Sequence, residues 1–371
     1  MNILNAYSQK TDVQEAVDEL KEKFSGFSGK FLLYFASSKY DHELLSVKMA
    51  EAFPGVENIG CTSCGEIISG MPLLDNSVVA MLFNEKAIAD VNIRIIQNID
   101  NENCDLEEKF KGFEEYFKIP MTEMEIDKYV GIILIDGLRL SEEKLMENIC
   151  NRTNVVMIGG SAGDDLQFKE TRVFANGISY TNAAVIALLK PGMKFGFLKT
   201  QSFSETGKSL TATKVNEATR EVLEFDGKPA VGEYLKAVGL EREEAEKLFM
   251  KHPIGLMFEG EPFVRSLRIF NGDNIAFFCN IIEGMELSVL EWGNIIAKTK
   301  QDLQAHAEEN GKIEAMLMFN CILRTLEIKS KNLVDEYAEI YKNIPTIGFS
   351  TYGEAFLGHI NQTATILTFH E

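Results

Sequence analysis

A chain of 371 residues with 45% hydrophobic and 25% charged side chains has the composition of a folded globular protein of two or three domains, which excludes dominant disorder. Its 37 basic against 56 acidic residues leave a formal charge of −19, a field that repels phosphate backbones and anionic headgroups and argues against nucleic-acid binding. The start, Met1-Asn2-Ile3-Leu4-Asn5, has no basic region with a long apolar run, and no stretch nears the roughly 18 uninterrupted apolar residues of a membrane span. A cytoplasmic protein without membrane insertion is expected.

The first strong signal is the apolar run Phe31-Leu-Leu-Tyr-Phe-Ala36, whose lack of alternation suits a strand covered on both faces. A helix is expected over roughly 41–52, then a strand ending in the small-residue turn Ile59-Gly-Cys-Thr-Ser-Cys-Gly-Glu66, then a strand from Asn76 to Phe83. The order returns with Val130-Gly-Ile-Ile-Leu-Ile135, a helix over 141–152 opened by the N-cap candidate Ser141, the turn Ile158-Gly-Gly-Ser-Ala-Gly-Asp164, and a strand from Asn182 to Leu189. Residues 193–290 change character. Runs such as Ser266-Leu-Arg-Ile-Phe270 and Asn274-Ile-Ala-Phe-Phe-Cys279, flanking Asn271-Gly272-Asp273, predict antiparallel strands. A long helix is predicted from about 288 to 309, with Trp292, Ile296, Thr299 and Leu303 at helical spacing and Gly311 as its stop. The third copy reads as strand Ala315-Met-Leu-Met-Phe319, a helix over 331–341, the turn Ile347-Gly-Phe-Ser-Thr-Tyr-Gly-Glu354, and a strand from Asn361 to Phe369.

From Phe31 to Ile59 and from Val130 to Ile158 the spacing is 28 residues, and from Ala315 to Ile347 it is 32. The expectation is therefore an α/β (mixed α+β) fold of internally repeated β-α-β-turn-β units with parallel strands plus an antiparallel segment. Turn residues at Phe225-Asp-Gly-Lys-Pro-Ala230 divide it into two halves.

Taken as an ordered set, several segments resemble the FIST family of bacterial and archaeal sensory proteins over about residues 28–370. They are the first two turns, Asp226-Gly-Lys-Pro-Ala230, Phe319-Asn-Cys-Ile-Leu-Arg324, Gly348-Phe-Ser-Thr-Tyr-Gly-Glu354 and Asn361-Gln-Thr363. The resemblance implies a FIST N-like sensory domain over 1–225 and a FIST C-like domain over 226–371. It also implies a stand-alone sensor that binds a small molecule, an amino acid or other small anion. Signalling would pass through a separate protein such as a kinase, a chemoreceptor or a cyclic-dinucleotide enzyme. Some FIST-type proteins resemble haem-based nitric-oxide sensors, so haem and that function stand as alternatives. His42, His252, His306, His359 and His370 form no HxH, HExxH or CxxCH motif, and neither a cofactor nor a metal is assigned from them.

Open α/β sheets form their crevices beyond the carboxyl ends of parallel strands. That geometry makes turn residues Ser63, Glu66, Ser161, Asp164, Ser350 and Glu354 candidate ligand contacts, together with Ser37, Asp136, Cys321 and Arg324 at the ends of the first strands. Glu66, Asp164 and Glu354 read as one position in each copy, suited to acid–base work, cation binding, or accepting turn amides. Arg324 offers a planar fork for a carboxylate, of a ligand or of the protein itself. Cys61 and Cys64 have CxxC spacing but no second pair or neighbouring His, and read as small turn residues. No complete nucleophile–base–orienter set is visible, so no catalytic residue is assigned. The alternative is a hydrolase or lyase using Glu66, Glu354 or Cys321 in the same cleft.

Overall fold

A computed structural model describes residues 2–101 and 104–371. The chain forms two compact units, one of residues 1–199, 302–359 and 364–371, the other of residues 200–301 and 360–363.

In the first unit three chain segments build three sheets with one strand order. Phe31–Ser37 pairs in parallel with Glu57–Ser63 and antiparallel with Val78–Phe83. Val130–Ile135 does the same with Met157–Ser161 and Ala183–Pro191, and Ile313–Cys321 with Thr346–Thr351 and Ala364–His370. The fold is mixed α/β. Each antiparallel strand also has an outer neighbour from earlier in its own segment: Ile3–Ser8, Ile88–Gln97 and Phe195–Thr200. A helix joins each outer strand to its first core strand, namely Val13–Lys23, Leu106–Phe117 and Ile295–Asn310. In the third segment residues 201–294, most of the second unit, lie between that outer strand and that helix.

After each turn the chain leaves its own sheet. Glu66–Ile68 pairs with Thr346–Thr351, Glu354–Phe356 with Met157–Ser161, and Val173–Ala175 with Glu57–Ser63. Each segment thus donates one short strand to the edge of another's sheet, and the three donations close a cycle.

Burial on both faces accounts for the unbroken apolar runs. Phe31, Leu33 and Phe35 join Val130, Ile132, Leu134, Ala315, Leu317 and Phe319 in one central core, where the Phe35 and Phe349 rings lie 4.4 Å apart. The alternate residues Leu32, Tyr34 and Ala36 face Val13–Lys23 and His42–Ala52, and Ile133 and Ile135 face Leu106–Phe117 and Glu142–Cys150. Asp12 and Asp41 cap their helices by accepting the amides of Glu15 and Leu44 at 3.0 and 2.9 Å.

Two predicted helices are corrected. The third segment's helix begins at once after its strand, as Ile322–Ser330 followed by Val334–Glu339, not at 331. Its inner face buries Arg324, Thr325 and Glu327 beside Ile322 and Ile328, so the apolar periodicity is blurred. The expected long helix starts only at Ile295, because Glu286–Trp292 alternates in burial and pairs antiparallel with Phe203–Asn216. Trp292 is a strand residue.

The second unit is antiparallel, with Phe203–Asn216 between Glu221–Phe225 and Glu286–Trp292. Leu267–Asn271 and Asn274–Phe277 form the hairpin predicted at Asn271-Gly272-Asp273, with Gly272 at φ +61°. Val222, Phe225, Tyr234, Ile254, Ile275 and Leu287 lie in its core. Among the described residues, no helix is long and apolar enough to cross a membrane.

Candidate functional site

The donated strands bring the three turns into backbone contact. Cys64 donates its amide to the Ser350 carbonyl at 3.1 Å, Tyr352 to Ser161 at 3.1 Å, and Gly163 to Thr62 at 3.0 Å. In return Ser350 donates to Gly65 at 2.8 Å and Ser161 to Gly353 at 2.9 Å. These bonds set the equivalences: Thr62 with Ser161 and Ser350, and Cys64 with Gly163 and Tyr352. The counterpart of Glu66 and Glu354 is therefore Asp165, one residue beyond the Asp164 expected from the sequence. Asp164 shares its place with Gly65 and Gly353. Close approach explains the small residues, since a Cβ on Gly163 would lie 2.4 Å from Cys64 Sγ and one on Gly160 2.6 Å from Thr351 Cγ2.

Each carboxylate has a distinct environment. Glu66 is fully buried and accepts the hydroxyls of Ser63 and Ser77 and the Ser77 amide, the last at 3.2 Å. Burial pushes its pKa up to about 8, against the pull of those hydrogen bonds. Glu354 repeats the relation, accepting from the hydroxyl three residues earlier, Thr351, at 2.7 Å. In the second segment Ala162 stands at that place, and Asp165 accepts instead from Ser38 Oγ at 2.8 Å. Asp164 gathers the amides of Phe168, Lys169 and Glu170 at 2.9, 2.6 and 3.0 Å and the Tyr352 hydroxyl. Asp136 accepts from Arg139 Nε at 2.9 Å, the Asn182 amide at 2.6 Å and the Thr171 hydroxyl.

All ten candidate residues are buried, none more than 3% exposed. Ser37, Ser63 and Glu66 come together, with Ser37 donating its amide to the Ser77 carbonyl at 2.9 Å. Ser350 shares a hydroxyl contact of 2.6 Å with Thr325, which accepts from Asn320 at 2.9 Å, and Asn320 Oδ1 accepts Arg324 Nε at 3.1 Å. Arg324 lies in the first turn of Ile322–Ser330, not at the strand end, where Cys321 is buried. Asp136 belongs to a different network, with Arg139 and Thr171. Sequence reasoning missed Ser77, Thr171, Asn320, Thr325, Thr351 and Tyr352. A hydroxyl three residues before the acid, in Ser63 with Glu66 and Thr351 with Glu354, was the available signal. Cys61 and Cys64 are buried free thiols; burial raises the first well above its usual range and the second to about 11. Neither is a reactive thiolate at neutral pH. Among the described residues, no group of three or more His, Cys, Asp or Glu is arranged to hold a metal ion.

The family model of the FIST N domain matches residues 30–228, and that of the FIST C domain residues 230–356. The chain belongs to the FIST family. FIST domains are sensory domains of signal transduction. This FIST chain is also similar to an uncharacterized protein of Methanocaldococcus jannaschii, 20% identical over 312 residues, which are 76% of this chain and 58% of that protein. The chain thus spans under three fifths of the length of the curated relative it matches.

Proposed function

We propose that this FIST chain is a cytoplasmic small-molecule sensor. It reads an amino acid or other small anion at Ser37, Ser63, Glu66, Asp136, Ser161, Asp164, Cys321, Arg324, Ser350 and Glu354, in and beside the turns, and passes occupancy to a separate signalling protein. The FIST N-like part is taken as 1–225 and the FIST C-like part as 226–371, and the three segments of the first unit as an internal repeat. The observation that carries this reading is the cyclic strand exchange, because a displacement at one turn must move the edge strand of another sheet. Two arrangements of such a ring would respond to a ligand that prefers one of them.

Because the candidate residues are buried, entry requires a cover to move. Residues 165–170 fit that role: Asp165, Leu166 and Phe168 hold positive φ of 55°, 61° and 52°, while Leu166 and Phe168 are exposed. Left-handed backbone costs about 1–2 kcal/mol at each non-glycine residue, a strain that opposes the Asp164 and Ser38 hydrogen bonds holding the cover in place.

The test is native mass spectrometry of the purified chain for a retained small molecule, followed by hydrogen exchange with and without it. Protection is expected at 59–66, 158–171 and 347–354. Protection confined to other segments would refute the turn site, and chemical conversion of the bound molecule would establish an enzyme in place of a sensor.

A further inference from the structure

Away from the turns, a cleft of about 520 Å³ opens between the edge strand Ile88–Gln97, the helix Leu106–Phe117 and Tyr180 on the edge strand Ile178–Tyr180. Arg94 lines it. The guanidinium crosses the helix at Gly112, where a Cβ would lie 2.9 Å from Arg94 Nε. A glycine inside a helix costs stability relative to alanine, and here it leaves room for this one side chain.

Arg94 Nη2 donates to the Gly112 carbonyl at 3.1 Å, while its Nε is buried and has no hydrogen-bond partner. Among the described residues, no carboxylate forms an ion pair with this guanidinium, in a chain with 56 acids. The neighbouring charges differ. Lys109 is already countered by Asp105 at 2.8 Å and Glu108 at 3.1 Å. Lys111 and Glu115 also line the cleft, so Arg94, Lys109 and Lys111 balance Asp105, Glu108 and Glu115 in a molecule that is strongly negative as a whole. A part-buried cation without a counter-charge is a costly arrangement unless an anion completes it.

We propose that this cleft is an oxyanion-binding site, separate from the turns, in which Arg94 holds the carboxylate or phosphate of a small molecule through the guanidinium N–H groups not turned to Gly112. Lys111, on the same helix, adds charge. The site does not depend on the sensor reading of the turns.

The experiment titrates the full chain calorimetrically with inorganic phosphate and, separately, with succinate, at low salt, for the native sequence and for Arg94→Gln, Arg94→Lys and Gly112→Ala. Saturable binding of at least one probe is expected, weakened about tenfold or more by Arg94→Gln, partly restored by lysine, and weakened by Gly112→Ala, which displaces the guanidinium. Phosphate alone binding assigns a phosphorylated ligand; succinate alone assigns a carboxylate. Thermal melts without probe serve as the control, because unliganded Arg94→Gln should unfold no earlier than the native chain. No saturable binding of either probe by the native chain, binding unchanged in Arg94→Gln, or early unfolding of unliganded Arg94→Gln would overturn the proposal.

Discussion

Cys64 Sγ occupies the space where a side chain at position 163 would begin, 2.4 Å from a Cβ built on Gly163. The contact joins the turn of the first segment to that of the second, beside the Gly163 amide bond to Thr62 at 3.0 Å. Gly163→Ala should therefore destabilise the protein by about 1–3 kcal/mol through overpacking. Adding Cys64→Ala should recover part of the loss. Recovery stays incomplete because the Cys64 amide and the Ser63 carbonyl carbon also lie 3.1 and 3.3 Å from the added carbon. Denaturant unfolding of both single variants and the double variant measures the coupling. Simple additivity would show that the two turns do not share this space.

What the sequence disclosed followed from burial. Phe31–Ser37 and Val130–Ile135 are buried along their whole length, so each announces itself as an apolar run. The outer strands and their helices were less legible: Ile3–Ser8 is only partly buried, and Val13–Lys23 shows one apolar stripe among charges. The destination of Glu66–Ile68 was not legible at all, because nothing local in three residues specifies whose sheet they extend. The acid assignment slipped by one for a related reason. Asp164 and Asp165 are adjacent, and only the backbone bonds of Gly163 and Ser161 show which matches Glu66.

Glu66 links the first turn to pH. Its folded pKa, near 8, lies above the ordinary glutamate value of 4.5, so the folded state binds the extra proton between those values. Its contribution to stability is complete below about 4.5 and is lost as pH rises through about 8. The melting temperature should decline from pH 7 to pH 9, and Glu66→Gln should flatten that decline. Melts across the range decide the matter; equal slopes in the two proteins would mean that Glu66 ionises normally.

Arg324 is the largest fully buried side chain of the protein, and its Nε donates to Asn320, which in turn touches Thr325 beside Ser350. Arg324→Ala should cost at least about 2 kcal/mol without any ligand, from the void and from the lost hydrogen bond to Asn320, which keeps only the Tyr337 hydroxyl on its Oδ1. Lysine should restore only part, since it lacks the planar donor geometry. Equilibrium unfolding of the unliganded variants measures this, and a loss of ligand affinity without loss of stability would assign Arg324 to recognition alone.

Thr368 Oγ1 lies 2.8 Å from Nε2 of both His306 and His370, and 3.0 Å from the Gly196 carbonyl. His370 Nδ1 faces the Gly311 carbonyl at 3.0 Å and must donate to it, whereas His306 Nδ1 accepts the Asn310 amide at 3.3 Å. The neutral network then runs from His306 Nε2–H to the Thr368 oxygen, and from the Thr368 hydroxyl to His370 Nε2, a proton placement assigned from these partners. Protonating His370 forces the hydroxyl to turn toward Gly196. Burial lowers the pKa of both rings, with further lowering at His306 from His370 and at each from Lys194, against opposing pulls from Glu309 at His306 and from the Gly311 and Lys312 backbone at His370. With folded values below the usual 6.5, the unfolded chain takes up protons first, so stability is lost as pH falls below about 6.5. The melting temperature should drop between pH 7 and pH 5, and the drop should shrink in His370→Gln. Thr368→Val should cost about 1–2 kcal/mol at pH 7 by leaving both rings without their shared partner. Melts of the three proteins at pH 5, 6 and 7 test the network. An acid-side slope that survives in a His306→Gln, His370→Gln double variant would place the responsible protons elsewhere.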